Sequence, residues 1–285
     1  MKPRVLLDGL AMPESPRWHD GRLWFSNWGT KRIVAVDLDG NSEVVGEGAD
    51  GLGWATNWLA DGRLLITGPE LIRVEPDGSR VRHADLSHIS PFGWSEMTVD
   101  GRGNVYVNAI NFDFAEFEEV LGSGKAPGKI ALVTPDGEVR EVASELAFPN
   151  GMVITPDNKT LVVAESFAAR LTAFDVEDDG ALSNRRVWAE GIGPDGICLD
   201  ADGCIWASSG NMENDCARIR EGGEVRERID LDRPCFAAML GGPDRRTLFM
   251  LTAEFRGTNA IEDVIKARTG QVLVVDAPAP GVGWP

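Results

Sequence analysis

Apolar and polar positions of this chain alternate in short runs that turn residues interrupt. The run "DGRLWFS" at Asp20 returns as "DGRLLIT" at Asp61 and "DGRGNVYVN" at Asp100. It returns again as "PDNKTLVVA" around Asp157, "DGCIWAS" at Asp202 and "PDRRTLFML" around Asp244. Each time an Asp-Gly or Pro-Asp turn leads into an alternating apolar segment, the pattern of a hairpin entering a half-buried sheet. Successive aspartates lie 41, 39, 57, 45 and 42 residues apart. Further strand-like runs, such as "RIVAVDLDGNSEVV", "LIRVEPDGSRV" and "RLTAFDV", fill the intervals. Short strands, four to a unit, repeated every 40 to 45 residues or so, mark the blades of a β-propeller.

Six landmarks predict an all-β fold: a six-bladed β-propeller with four antiparallel strands per blade, one domain over residues 1–285. The terminal runs "RVLLDGL" and "QVLVVDA" both read as strands, one completing the other's blade to close the ring. The long third interval holds an insertion over residues 108–128. It is expected after the first strand of the third blade, as a lid over the channel mouth. Within it, "FAEFEEVLG" is the stretch that reads as a helix.

Counting back from each landmark to the start of its inner strand gives Glu14, Trp54, Ser95, Asn150, Asp195 and Ala237. In a propeller these positions converge on the mouth of the central channel. Two carboxylates and an amide meeting out of bulk water repel unless a positive charge lies between them. A hard divalent cation with oxygen ligands is one solution. The other is that these groups satisfy buried backbone at the mouth.

Composition narrows the partners. Hydrophobic residues make up 43% and charged residues 26%, the balance of a globular chain. The net charge of -17 repels phosphate backbones and anionic lipid, which argues against nucleic-acid and membrane partners. No apolar run reaches the ~18 residues of a membrane span. The first apolar stretch is broken by Asp8, too short for a signal-peptide core. A cytoplasmic protein, monomeric or a small homo-oligomer, is the expectation. Cys198, Cys204, Cys216 and Cys235 form no C-x-x-C pair and read as buried thiols. His19, His83 and His88 are too scattered for a zinc site. There is no G-x-S-x-G elbow, and "GSGKAPGK" has Ile130 where a phosphate loop needs Ser or Thr.

The segments "ESPRWHDGRLWFSN", "FPNGMVITPDNKTLVVAES", "PDGICLDADGCIWAS" and "CFAAMLGGPDRRTLFMLTA" follow one another along the chain. Together they resemble the blade motifs of the SMP-30/gluconolactonase (regucalcin-like) family. The resemblance implies that Glu14, Asn150 and Asp195 bind one divalent metal ion. Oxygen ligands favour calcium, with zinc, manganese, magnesium and iron(II) as alternatives. It also implies a small-molecule lactone or ester substrate. The metal would polarise the carbonyl and activate water, with Asp195 as general base. Glu96 is a second candidate for proton transfer or for contact with a substrate hydroxyl.

Two positions depart from the family pattern. Ser95 stands where many members carry an asparagine ligand, and Gly93 where sugar-lactone members often carry an arginine. Trp54, Trp58, Trp94 and the aromatics Phe112, Phe114 and Phe117 are candidates to line a more apolar mouth, with packing between blades as the other reading for each. Ser95, Asn108 and Asn111 are the further candidates for substrate contact. Three functions stay open: a metal-dependent lactonase; the same centre acting on another ester, a phosphotriester or a biosynthetic ring-opening or ring-forming step; and a non-catalytic calcium- or ligand-binding propeller.

Overall fold

The computed structural model describes residues 2–208, 214–255 and 257–283. Among them the strands form six four-stranded antiparallel sheets, the blades of a propeller. Strand β1 (Arg4–Leu10) precedes the first blade, which is β2 (Pro13–His19), β3 (Arg22–Asn27), β4 (Arg32–Val36) and β5 (Ser42–Glu47). The second blade is β6 (Thr56–Trp58), β7 (Leu64–Ile66), β8 (Leu71–Val74) and β9 (Arg80–Ala84). The third is β10 (Met97–Val99), β11 (Val105–Ala109), β12 (Gly128–Val133) and β13 (Val139–Leu146). The fourth is β14 (Pro149–Ile154), β15 (Thr160–Glu165), β16 (Arg170–Val176) and β17 (Leu182–Glu190). The fifth is β18 (Ile197–Leu199), β19 (Ile205–Ser208), β20 (Asp215–Ile219) and β21 (Val225–Asp230). The sixth joins β22 (Cys235–Gly241), β23 (Thr247–Thr252) and β24 (Gly270–Asp276) to β1.

The turns behave as the sequence predicts. Between β2 and β3, Asp20 and Gly21 both have positive φ, 48° and 74°. That is the type I′ geometry, whose twist matches the strands it joins. The ring closes where β1 pairs antiparallel with β24, Arg4 opposite Val274 and Val5 opposite Leu273. Leu10 at the end of β1 packs with Phe25, Phe249 and Val272, locking the last blade to the first.

Inner and middle strands are buried on both faces because neighbouring blades cover them. Leu248, Phe249, Met250 and Leu251 of β23 have no exposed surface. Leu65 and Leu71 of the second blade meet Met97 and Val107 of the third. Each such side chain contributes about 1.5–3 kcal/mol through burial. The outermost strands, β5, β9 and β21 among them, are largely exposed. The four cysteines are buried and free.

Two helical inserts interrupt the strands. The first holds α1 (Phe117–Ser123) behind a 3-10 turn at Phe114–Glu116, as "FAEFEEVLG" predicts. It joins β11 to β12, so it follows the second strand of the third blade and not the first. The inner strand is the short β10, which the repeat count had begun at Ser95. The second insert was not anticipated: α2 (Ile261–Ala267) lies between β23 and β24. Its signal is present in the apolar Ile261, Val264 and Ile265, with Glu262 and Asp263 in the first turn and Lys266 in the last. The third and sixth blades stand opposite each other in a six-membered ring. Their inserts nevertheless meet, because Thr258 Oγ1 donates to Glu118 Oε1 at 2.9 Å. The contact arches over the face where the inner strands begin. Among the described residues no helix is long and apolar enough to cross a membrane.

Candidate functional site

Inner strands enter the channel irregularly, and this aims their side chains. The pairing of β2 with β3 slips between Glu14 and Arg17, and Ser15 lies in the left-handed region at φ 53°. A similar slip separates Pro149 from Met152 in β14. A regular strand would alternate its side chains between faces, whereas a bulge re-aims them. The glycines after Asn150 and Asp195 serve close approach. A Cβ on Gly151 would lie 2.6 Å from Ile197 N, and one on Gly196 would lie 2.4 Å from Ala237 Cβ.

Those glycines also link the blades. Gly151 N–H donates to Asp195 O at 3.1 Å, and Gly196 N–H donates to Phe236 O at 2.8 Å. In the third blade Glu96 takes the glycine's place, and a side chain makes the link instead. Asn108 Nδ2 donates to Asn150 O at 2.7 Å, while its Oδ1 accepts from Glu96 N at 3.2 Å. Asn108 is fully buried, so the structure gives it a positioning role in place of the expected substrate contact.

Glu14, Asp195 and Glu96 act on one another electrostatically. Burial, then the charges of Asp195 and Glu96, hold the Glu14 carboxyl well above the usual carboxylate range. Burial and then Glu96 push Asp195 up to about 8, with the Asn150 side chain pulling it back. Among the described residues neither carboxylate forms an ion pair with a cation; the nearby guanidinium of Arg17 pairs with Glu96 instead. Glu14 Oε2 accepts from Ser15 N at 2.9 Å, and Asp195 N donates to Ser208 Oγ at 3.0 Å. Asn150 Nδ2 reaches Ser166 Oγ at 3.4 Å. Glu14, Asn150 and Asp195 are therefore neighbours, as the repeat count placed them.

The other candidates scatter. Ser95 is half-buried, and its Oγ would lie 3.8 Å from a Cβ on Gly53 in the preceding blade. Trp54 is fully buried with Ile33 and Ile66, and Trp94 is buried with Leu86 and Ile89. Neither lines the mouth, because packing between blades takes these large rings. Asn111 has φ 60° and donates through Nδ2 to Pro127 O at 3.1 Å, tying the base of the insert together. Phe112 and Phe117 pack with Phe148 and Phe167, whose rings stack with centroids 4.5 Å apart. This aromatic cluster pins the first insert to the rim beside Asn150.

Two channel residues escaped the sequence reading. Arg17 Nη2 donates to Glu96 Oε2 at 2.9 Å and to Met97 O at 2.8 Å. Asn57 is buried and its Nδ2 reaches the same Met97 O at 3.5 Å. Arg17 follows Glu14 by three positions, the wrong parity for one face of a regular strand. Only the bulge brings both toward the axis. Glu96, held in that ion pair, bears on Asp195 through its charge; its expected place as a free proton-transfer group is taken by the pair.

The donor set suits a hard cation. Among the described residues the buried Glu14 and half-buried Asp195 have no ion-pair partner, and the buried Ser15 hydroxyl has no hydrogen-bond partner. Such oxygen donors favour divalent ions of the calcium or magnesium type. Among the described residues no three His, Cys, Asp or Glu side chains form a ready metal cluster. Glu14, Asn150 and Asp195 supply two carboxylates and an amide, a sparser arrangement.

Known proteins place the chain. It is 28% identical over 269 residues to a pentonolactonase of Haloferax volcanii, covering 88% of this chain and 84% of that one. It is 24% identical over 196 residues to a diisopropyl-fluorophosphatase of Loligo vulgaris, covering 65% of this chain but only 62% of that one. The solved structure of a calcium-binding protein, regucalcin, from Agrobacterium tumefaciens superposes with a TM-score of 0.79 at 20% identity, covering 99% and 96% of the two chains. Residues 12–254 match the SMP-30/Gluconolactonase/LRE-like region, and the chain belongs to that family.

Proposed function

We propose that this protein hydrolyses a lactone, with Glu14, Asn150 and Asp195 holding one divalent cation, calcium first among the candidates. The observation that carries the reading is Glu14 beside Asp195 and Asn150: burial and the Asp195 charge raise the Glu14 pKa, burial and Glu96 raise that of Asp195, and among the described residues neither carboxylate has an ion-pair partner. The pentonolactonase relative supports the reaction class, and the calcium-binding regucalcin supports the choice of ion.

A bound cation would supply Lewis-acid polarisation of the lactone carbonyl. The chain's own residues do the rest. Asp195 accepts the proton of the attacking water; the ring C–O bond then breaks and its oxygen takes that proton, giving a hydroxy acid. Proton transfer of this kind contributes about 10²- to 10⁴-fold. The side chain of Asn150 orients Asp195, and Asn108 fixes the backbone of Asn150.

The test is a panel of sugar, aliphatic and aromatic lactones, read by proton release. Metal-stripped protein is used, with each divalent ion restored in turn. Turnover that needs the metal and falls at least ~100-fold in Asp195→Asn is expected. Undiminished turnover in that variant would remove Asp195 from the mechanism. The diisopropyl-fluorophosphatase relative supports a second reading, hydrolysis of a phosphorus ester at the same centre. An organophosphate in the panel, turned over while every lactone is refused, would favour it.

A further inference from the structure

We propose that Arg17 is the built-in counter-cation of the channel, pairing with Glu96 so that the site retains the charge of one divalent ion. The proposal rests on the reading that Glu14, Asn150 and Asp195 hold such an ion. Three carboxylates face one another here: Glu14, Asp195 and Glu96. One guanidinium answers them. Together the four groups carry a net charge of minus two, which a single divalent cation balances.

The geometry shows that Arg17 is placed, and not simply nearby. Its Nη1 donates to Pro16 O at 2.8 Å, and its Nη2 donates to both Glu96 Oε2 and Met97 O. Three hydrogen bonds thus hold the fork in one orientation. The pair spans the channel from the first blade to the third, and both side chains are nearly buried, 13% and 10% exposed. Arg17 and Glu96 line a cavity of about 10 Å³ with Met152 and Ile197, residues one or two positions deeper than the donors. That is room for about one water. Glu96 is therefore tied to the Arg17 fork and acts on the site as a fixed charge.

Arg17 is a positioning residue, so its test must separate charge from packing. Calcium chloride is titrated calorimetrically into the full-length protein after stripping with a chelator. Wild type should bind one ion per chain. Arg17→Met should bind calcium about a hundredfold more tightly, the effect of a unit charge on a divalent ion across roughly 10 Å of protein. Loss of packing alone would weaken binding instead. Arg17→Lys should keep wild-type affinity, and Glu96→Gln should bind about a hundredfold more weakly by the same argument. The double variant Arg17→Met/Glu96→Gln restores the charge of minus two and should return to wild-type affinity.

Should Arg17→Met not fold, Glu96→Gln and the double variant still decide the matter. Affinities within twofold of wild type across the series would overturn the proposal, as would a double variant that keeps the affinity of Arg17→Met. A wild type that binds no divalent cation overturns both this proposal and the metal reading. Metal-dependent lactone turnover, with affinities that ignore these substitutions, overturns this proposal alone.

Discussion

Replacing Asp195 with asparagine should make the metal-free protein more stable even as it removes the chemistry. Asp195 titrates at about 8 in the folded chain against 3.8 for an ordinary aspartate, because burial and Glu96 disfavour its charge. Between those values the native state holds a proton that the unfolded state has released. Stability of the metal-free protein therefore falls as pH rises from about 4 to about 8, and is flat above. Four pK units correspond to about 6 kcal/mol if Asp195 bore the whole effect. The repulsion is shared with Glu14 and Glu96, so about half, ~3 kcal/mol, is the expected gain for Asp195→Asn at pH 8. Glu14, raised for the same reasons, adds to the slope with the same sign.

The assay is urea unfolding of chelator-treated protein, followed by tryptophan fluorescence from pH 5 to pH 9. Wild type should lose midpoint steadily up to pH 8, and the variant should lose much less. Added calcium should restore wild type and leave the variant unmoved. A flat wild-type profile over that range, or a variant less stable than wild type in chelator, would refute the claim that Asp195 and Glu14 are held in unfavourable proximity.

Two further substitutions test the scaffold around the site. Glu165 is fully buried and accepts from Ala147 N at 2.8 Å, with Arg170 at 2.9 Å and Arg185 at 3.2 Å. Burial alone would raise its pKa, but these partners and Thr172 outweigh it and lower it. Its contribution is thus present above the ordinary value of 4.5 and lost as pH falls through the lowered one; Glu165→Ala should cost about 3–5 kcal/mol at pH 7 and much less at pH 3, read by denaturant unfolding. Gly196→Ala places a methyl 2.4 Å from Ala237 Cβ. It should cost about 1–3 kcal/mol and weaken calcium binding in calorimetry, since the adjacent Asp195 shifts with the strand.

Most of the architecture was legible in the chain. The Asp-Gly landmarks mark hairpins for two reasons: Asp20 and Gly21 form a two-residue turn with both residues at positive φ, whereas near Asp61, Asp100 and Asp202 a glycine at positive φ (Gly62, Gly103, Gly203) closes a three-residue turn. Counting back from them located Glu14, Asn150 and Asp195, since equivalent positions of equivalent blades share a distance from the axis. The same count failed at Trp54, a large ring drawn into the contact between the first and second blades. The first insert was expected one strand too early, although the count began an inner strand at Ser95, because β10 has only three residues and carries no alternation long enough to read as a strand of its own.

What the sequence by itself determined is periodic: six blades, their hairpins, a closing strand from the N-terminus, and the equivalent blade positions of Glu14, Asn150 and Asp195. Tertiary structure decided what breaks the period. The bulge at Ser15 turns Arg17 onto the same side as Glu14, and alternation cannot foresee a residue inserted out of register. Asn108 serves the backbone of Asn150 because blades that are distant in sequence meet at the axis. The second insert, α2, reaches α1 through Thr258 and Glu118 although 140 residues separate them. Local patterning sets which residues become strands, but only ring closure sets which charges must share one channel.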